Sequence, residues 1–185
     1  MMAVRSEISP LDPSLRPNPI HIRPMQQGDL EQVIAIDQAS FSLPWPESSF
    51  RYELLENPYS LLLVAEAEAP DGRKQVVGVV VVWLIEDEVH IATLAILPEH
   101  RGAGISRELL AAVLTRSIRR GARSATLEVR ANNRIAQSLY RRFGFQIVGR
   151  RPRYYLDNNE DALIMTAAGL DEKYLKWLES YGWRK

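Results

Sequence analysis

Apolar positions along this chain change their period several times, and each change marks an element. Ile20-His21-Ile22-Arg23-Pro24-Met25 alternates as a short strand does. Asp29, with Gln32 three residues on, reads as a capping box opening a helix that carries Leu30, Val33 and Ile34 on one face and ends near Phe41. Pro44 and Pro46 then bend the chain around Trp45, and PESSFRYELLENP reads as a second helix stopped before Pro58. Three β-rich runs follow, residues 60–68, 75–87 and 88–97, with a hairpin turn expected at Asp71-Gly72. The period then lengthens to that of a helix over 103–120, shortens for SATLEVR at 124–130, and lengthens again over 133–143. Strands at 145–149 and 161–167 complete the pattern, and 168–185 reads as a closing helix beyond the domain.

A meander leading into β-α-β-α-β predicts one α/β domain with a mixed sheet. The chain's 185 residues, 46% of them hydrophobic, fit one well-buried core. No apolar run approaches the roughly 18 residues of a membrane span, so no membrane is expected. Residues 1–19 hold four of the eleven prolines and lack the apolar centre of a secretory signal, so they read as a loose arm. The absence of cysteine excludes disulfides, thiolate metal sites and a covalent cysteine intermediate, and fits a cytoplasmic setting. His21, His90 and His100 lie far apart in sequence, which gives no metal-ligand spacing. Net charge is zero, yet residues 101–155 hold thirteen arginines against two glutamates, so an anionic ligand is expected there.

The stretch LAILPEHRGAGISRELLAAVL gives that ligand a place. Ile105, Leu109, Ala112 and Val113 fix one side of the helix, so its N-terminus faces the end of the preceding strand. Gly102 and Gly104 let the backbone come close, and the helix start offers unpaired amides to an anion such as phosphate. The loop has no lysine, so it is not a P-loop. Arg107 stands where a dinucleotide fingerprint needs a third small residue, so it is not that motif either.

Arg101, Gly104 and Ser106 match the pattern [RQ]-x-x-G-x-[GA], with serine at the last position. That loop, together with SFSLPW, LEVRANNRIAQSLYRRFGF and RPRYYLDNNEDALIM in this order, resembles the GNAT superfamily of N-acetyltransferases. Within it, the likeness is to the ribosomal-protein-alanine N-acetyltransferase group, over residues 20–167. The resemblance implies a single GNAT-type domain, its sheet mostly antiparallel and splayed at an acetyl-coenzyme A site. It assigns Leu94, Ala95 and Ile96 to the pantetheine arm, and Arg101, Gly102, Ala103, Gly104, Ile105, Ser106 and Arg107 to the pyrophosphate. Asn133, also a helix cap, is implied to reach the same molecule.

Glu128 shares one face of its strand with Ser124, Thr126 and Arg130, opposite Ala125, Leu127 and Val129. An ion pair with Arg130 would make it structural, whereas the resemblance makes it the proton acceptor. The sequence sets neither a second acid nor a histidine beside it. Ile135, Leu139 and Phe143 read as the apolar stripe of the next helix, and Tyr140 stands off that stripe. The resemblance makes Tyr140 the acid that protonates the departing thiolate. Phe41, Pro44 and Trp45 in the first helix–helix loop are implied to flank an acceptor peptide, opposite Tyr154, Tyr155, Glu160 and Asp161 in the last strand–strand loop. The expected acceptor is the N-terminal amine of a protein, one beginning with alanine or serine; lysine or a small amine is the alternative. An RNA-binding module fits less well, because the arginines lie on helix faces and at the loop rather than interleaved with aromatics on a sheet.

Overall fold

In the computed structural model, which describes residues 20–68 and 72–184, seven strands form one sheet in the order β1-β2-β3-β4-β5-β7-β6. They are β1 (His21–Pro24), β2 (Ser60–Glu68), β3 (Lys74–Ile85), β4 (Glu88–Ile96), β5 (Ser124–Arg130), β6 (Gln146–Tyr155) and β7 (Glu160–Ala168). The helices are α1 (Leu30–Ser40), α2 (Glu47–Leu55), α3 (Ile105–Arg119), α4 (Arg134–Arg142) and α5 (Glu172–Glu179). Every neighbouring pair of strands is antiparallel except β4 and β5, which the α3 crossover makes parallel. The α/β class and mixed sheet expected from the sequence are therefore present. No described helix is long and apolar enough to cross a membrane.

Two apolar cores sandwich the sheet. On one face Val80, Val82, Val89, Ile91, Ala125 and Leu127 meet Leu109, Val113 and Leu114 of α3, with Tyr140 of α4 and Phe143 capping its C-terminus. On the other, Val79, Val81 and Ala95 meet Val33 and Ile36 of α1 and Phe50 of α2. The closing helix shares the first core through Leu178, as does Leu170 just before it, and the Tyr174 hydroxyl donates to Phe143 O at 2.7 Å.

One residue breaks the alternation of β4. Val82 pairs with Ile91 and Val81 with Thr93, so Ala92 bulges out of the ladder. Side chains before and after it change faces: Val89 and Ile91 lie in the first core, whereas Ala95 lies in the second. The parallel ladder to β5 ends at the same level, at Ile91 opposite Leu127, while both strands run on. The sheet is splayed there.

Several local expectations differ. The reciprocal cap forms one turn earlier: the Asp29 carboxylate accepts from Gln26 N at 2.7 Å, and Gln32 instead accepts from Val76 N of β3 at 2.9 Å. Ile36, not Ile34, completes the buried stripe of α1. Ile135 is 86% exposed, and α4 buries Gln137 and Tyr140 in its place. The strand expected at 145–149 extends to Tyr155, because β6 is an edge strand exposed on both faces and carries no apolar alternation to read. Residues 1–19 and Asp71 of the expected hairpin turn lie outside the described residues.

Gly78 of β3 lies directly beneath α3. A Cβ there would meet Ile96 Cδ1 at 2.6 Å, Leu109 Cδ1 at 3.1 Å and Ala95 O at 3.3 Å. Gly78→Ala should therefore destabilise the fold by about 1–3 kcal/mol, measured by urea unfolding. An unchanged midpoint would show that the α3–β3 contact is looser than this geometry requires.

Candidate active site

The gap between β4 and β5 is a consequence of the bulge and the end of the parallel ladder. Past Ile91, β4 keeps its pairing with β3 but has no strand on its other side, so Leu94, Ala95 and Ile96 present backbone groups toward the gap. Their side chains are half-buried or buried in the two cores.

The loop after β4 completes the feature. A 3-10 turn over Pro98–His100 is followed by Gly102 and Gly104, whose φ values of 81° and 85° lie in the left-handed region that glycine adopts freely. Gly104 is the N-cap of α3. Loop bonding runs through Arg101 N to Pro98 O and resumes at Arg107 N to Gly104 O. The amides of Gly102, Ala103, Gly104, Ile105 and Ser106 donate to no acceptor among the described residues. They surround a helix N-terminus, a setting that favours an anion. The Arg107 guanidinium lies over Gly104, 2.9 Å from where a Cβ would stand. Arg101 instead folds back on the strand end, donating to Ile96 O at 3.1 Å and to the Ser40 hydroxyl at 3.2 Å.

Across the gap, Glu128 lies one residue beyond the last β4–β5 pair. Its alternation is as expected, with Ala125, Leu127 and Val129 buried and the opposite face half-buried. The expected alternative pairing with Arg130 does not form. The Glu128 carboxylate, 13% exposed, instead meets His90 Nε2 at 3.2 Å and Arg151 at 3.1 Å. His90 stacks on Trp83 with centroids 5.3 Å apart, and Trp83 donates from Nε1 to Glu53 at 2.9 Å. Sequence reading passed over His90, Trp83 and Arg151. Only the parallel register could have placed His90, since it sets His90 opposite Thr126, two residues before Glu128 on the same face.

Asn133 caps α4 as expected, accepting from Ala136 N at 3.0 Å. Gln137, fully buried, donates to the carbonyls of Arg130 at 3.1 Å and Ala131 at 2.8 Å, which fixes α4 to the end of β5. Tyr140 lies in the first core, where burial, with a smaller contribution from Tyr155, pushes its phenol far above the usual value. Its hydroxyl has no hydrogen-bond partner among the described residues, and the residue is 8% exposed.

Two loops close one end of the gap. Phe41 and Pro44 are exposed, whereas Trp45 packs against Phe50 with centroids 5.2 Å apart and donates its amide to Asp37 at 2.7 Å. Burial pushes the Asp37 carboxyl up, against that amide's opposing pull. Tyr154, Tyr155, Glu160 and Asp161 stand on the ends of β6 and β7 rather than in the connecting loop, which is residues 156–159. Tyr154 and Tyr155 meet edge to face at 5.2 Å. Glu160 accepts from Asn132 N at 2.8 Å, and Asp161 from Arg153 N at 2.7 Å, so both carboxylates already brace the hairpin.

Arg130 ties these parts together. It reaches Asp157 at 2.8 Å, Glu160 at 3.2 Å and the Ser42 hydroxyl at 3.3 Å, and its guanidinium lies 3.9 Å from the Tyr155 ring centroid. Partial burial opposes its charge, but the bonds to Asp157 and Glu160 prevail and hold its pKa above the usual value. Ser42 in turn donates to Asp157, joining the α1–α2 loop to the β6–β7 loop. No group of three or more potential metal ligands occurs among the described residues.

Comparison with known proteins gives this geometry a context. Residues 30–145 match the model of the acetyltransferase (GNAT) family. A Bacillus subtilis protein described as a candidate ribosomal protein bS18-alanine N-acetyltransferase is 42% identical over 144 residues, 78% of this chain and 92% of its own length. The crystal structure of the ribosomal-protein-S18-alanine N-acetyltransferase from Escherichia coli superposes with a TM-score of 0.71 at 27% identity, over 80% of this chain and 93% of that one. Ard1 from Thermoplasma volcanium gives a TM-score of 0.71 at 26% identity, over 82% and 99%.

The Arg130 hub makes a mechanical prediction. Arg130→Gln should raise amide hydrogen exchange across residues 156–160 by about tenfold or more, and leave β5 protected by its neighbours. Unchanged exchange in that loop would show that the hairpin holds itself without the cross-loop contacts.

Proposed function

The chain belongs to the acetyltransferase (GNAT) family and is an acetyl-coenzyme A dependent N-acetyltransferase; from that premise we propose that its acceptor is the N-terminal α-amine of a protein, one that begins with alanine or serine. The observation that carries the reading is the parted β4–β5 edge, with a loop of unengaged amides at one end and Glu128 across from it.

That arrangement fits the cosubstrate. A β edge recognises amides without needing particular side chains, so Leu94, Ala95 and Ile96 would hold the pantetheine arm through their backbone. The amides and glycines from Arg101 to Arg107 would cradle the pyrophosphate, with Asn133 alongside. Bound there, acetyl-coenzyme A supplies an activated acetyl thioester. The Tyr140 hydroxyl, with no hydrogen-bond partner among the described residues, would donate to the departing sulfur. Glu128 would govern deprotonation of the acceptor amine. Phe41, Pro44, Trp45, Tyr154 and Tyr155 would wall the peptide's path, with Glu160 and Asp161 shaping that wall.

Amine protonation favours the α-amine. Only the neutral amine attacks, and at pH 7 an α-amine of pKa near 7.8 is neutral about one time in seven, against roughly one in 2,500 for lysine. The names of the Bacillus subtilis and Escherichia coli relatives point to the same class of acceptor.

Two measurements test this. Acetyl-coenzyme A at about a hundredfold excess over its dissociation constant should stabilise the fold by about 2.7 kcal/mol in thermal melts. Gly104→Val should abolish that shift, because φ of 85° is strained for a β-branched residue and its side chain would displace Arg107. A wild-type melt that ignores the coenzyme would overturn the binding assignment. Separately, a peptide beginning with alanine or serine should be acetylated faster than the same peptide with a blocked α-amine and one free internal lysine. The reverse ranking would replace the α-amine acceptor with lysine.

A further inference from the structure

We propose that Asp37 is a positioning residue for the acceptor peptide: its carboxyl and its own backbone carbonyl close the Phe41–Trp45 segment into a fixed bridge across the mouth of the β4–β5 gap. The role rests on the acceptor reading above, in which Phe41, Pro44 and Trp45 wall the peptide's path.

Contacts at both ends place the bridge. Where α1 ends, the Ser40 hydroxyl donates to Ile96 O of β4 at 3.4 Å and accepts from Arg101 at 3.2 Å. Two residues on, the Ser42 hydroxyl accepts from Arg130, at the end of β5, at 3.3 Å and donates to Asp157. The chain therefore crosses from one parted strand to the other. Asp37 lies one helical turn before that crossing and is 1% exposed. Its backbone carbonyl accepts from Phe41 N at 3.0 Å, and its carboxyl accepts from Trp45 N at 2.7 Å. One residue thus holds both ends of the segment.

The sequence leaves little choice of handle. Pro44 and Pro46 have no N–H, so Trp45 N is the single backbone donor across that bend. The Trp45 ring is held as well, by Phe50 at 5.2 Å and by stacking on Trp83 at 6.4 Å. With amide and ring both fixed, Phe41, Leu43 and Pro44 are left exposed on the bridge.

An acid is a costly choice at this position. Nearby inward positions of α1 carry Val33 and Ile36, both fully buried. The second carboxyl oxygen of Asp37, Oδ1, is buried with no hydrogen-bond partner among the described residues. Burial pushes the carboxyl's pKa up, against the opposing pull of the Trp45 amide. A carboxyl buried on one hydrogen bond loses more by desolvation than the bond returns, and an apolar side chain avoids that loss. Asp37 is therefore better explained by where it puts the loop than by what it adds to stability. A preformed wall helps binding because the peptide need not order the loop first.

The test compares Asp37→Val, which removes the oxygen, with Asp37→Asn, which keeps one for Trp45 N. In Asp37→Val the KM for an alanine-initiated peptide should rise about 10-fold or more, with turnover within about threefold and the KM for acetyl-coenzyme A within about twofold of wild type. In Asp37→Asn the peptide KM should stay within about threefold of wild type. A merely structural role would instead lower turnover and weaken both substrates together. An unchanged peptide KM in Asp37→Val, a parallel rise in the KM for acetyl-coenzyme A, or an equal loss in Asp37→Asn overturns the proposal. Asp37→Ala, which also lacks the oxygen and cannot overpack, replaces Asp37→Val if that variant does not fold; failure of both to fold marks Asp37 as structural and overturns the proposal too. Wild-type protein that acetylates no α-amine overturns the acceptor reading instead. The bridge is then read by amide hydrogen exchange over residues 41–45, which should rise about tenfold in Asp37→Val and stay unchanged in Asp37→Asn. Equal exchange in the two variants rules the tether out.

Discussion

The parting of β4 from β5 is the constraint on which the rest of the site depends. A parallel pair of strands would ordinarily continue its ladder to the strand ends, yet this one ends at Ile91 and Leu127, beside the Ala92 bulge. Three consequences follow from that residue. Backbone groups of Leu94 to Ile96 lose their second neighbour, Glu128 emerges past the last pair, and the faces of β4 exchange so that His90 and Ala95 share one side. The bulge has a cost. Beside it the buried Thr93 hydroxyl has no hydrogen-bond partner among the described residues, a penalty of about 1–3 kcal/mol. Dense apolar packing on both sides of the sheet offsets it, with Val80, Val81, Val82, Val89 and Leu109 all fully buried.

The fold was legible wherever burial repeats with a simple period, and illegible where a single residue or a polar group sets the geometry. SATLEVR announced its two faces because only one is covered. Gly102 and Gly104 announced the loop because their left-handed backbone suits no other residue so well. Ala92 announced nothing, since alanine fits a regular strand equally. The α4 helix misled for a related reason: its key buried residue is Gln137, placed there to satisfy the carbonyls at the end of β5, while Ile135 faces solvent. His90 was invisible beside Glu128 because the two lie far apart in sequence and meet only through the parallel register.

The arginine excess of residues 101–155 has a plainer explanation than a ligand for most of its members. Acids just outside that segment answer it. Arg130 pairs with Asp157 and Glu160, Arg150 with Asp161, and Arg119 with Glu179. These charges brace the hairpin, the cleft and the closing helix. Arg107, lying over Gly104 at the start of α3, stays beside the loop amides, and Arg101 is held on the adjoining strand end. The charge asymmetry thus reflects ion pairs with these neighbouring acids for several of its members, while Arg101 and Arg107 stand at the loop of the candidate site.

In the proposed mechanism, the burial of Tyr140 bears on how protons are divided between the groups of the site. A phenol is already a weaker acid than a thiol, and burial of Tyr140 raises its pKa further, so complete transfer of its proton to a thiolate becomes more uphill. The same burial strengthens a hydrogen bond given to charge developing nearby, because little water competes for it. A hydroxyl with no acceptor among the described residues can give that bond without first breaking another. Tyr140 is therefore better suited to stabilise a departing sulfur as a donor than to protonate it outright, and the sulfur's proton can come from solvent once the coenzyme leaves. The acceptor amine poses the opposite problem, since its proton must be taken up before attack. In the proposed mechanism that need falls to Glu128, which stands across the parted strands between His90 and Arg151.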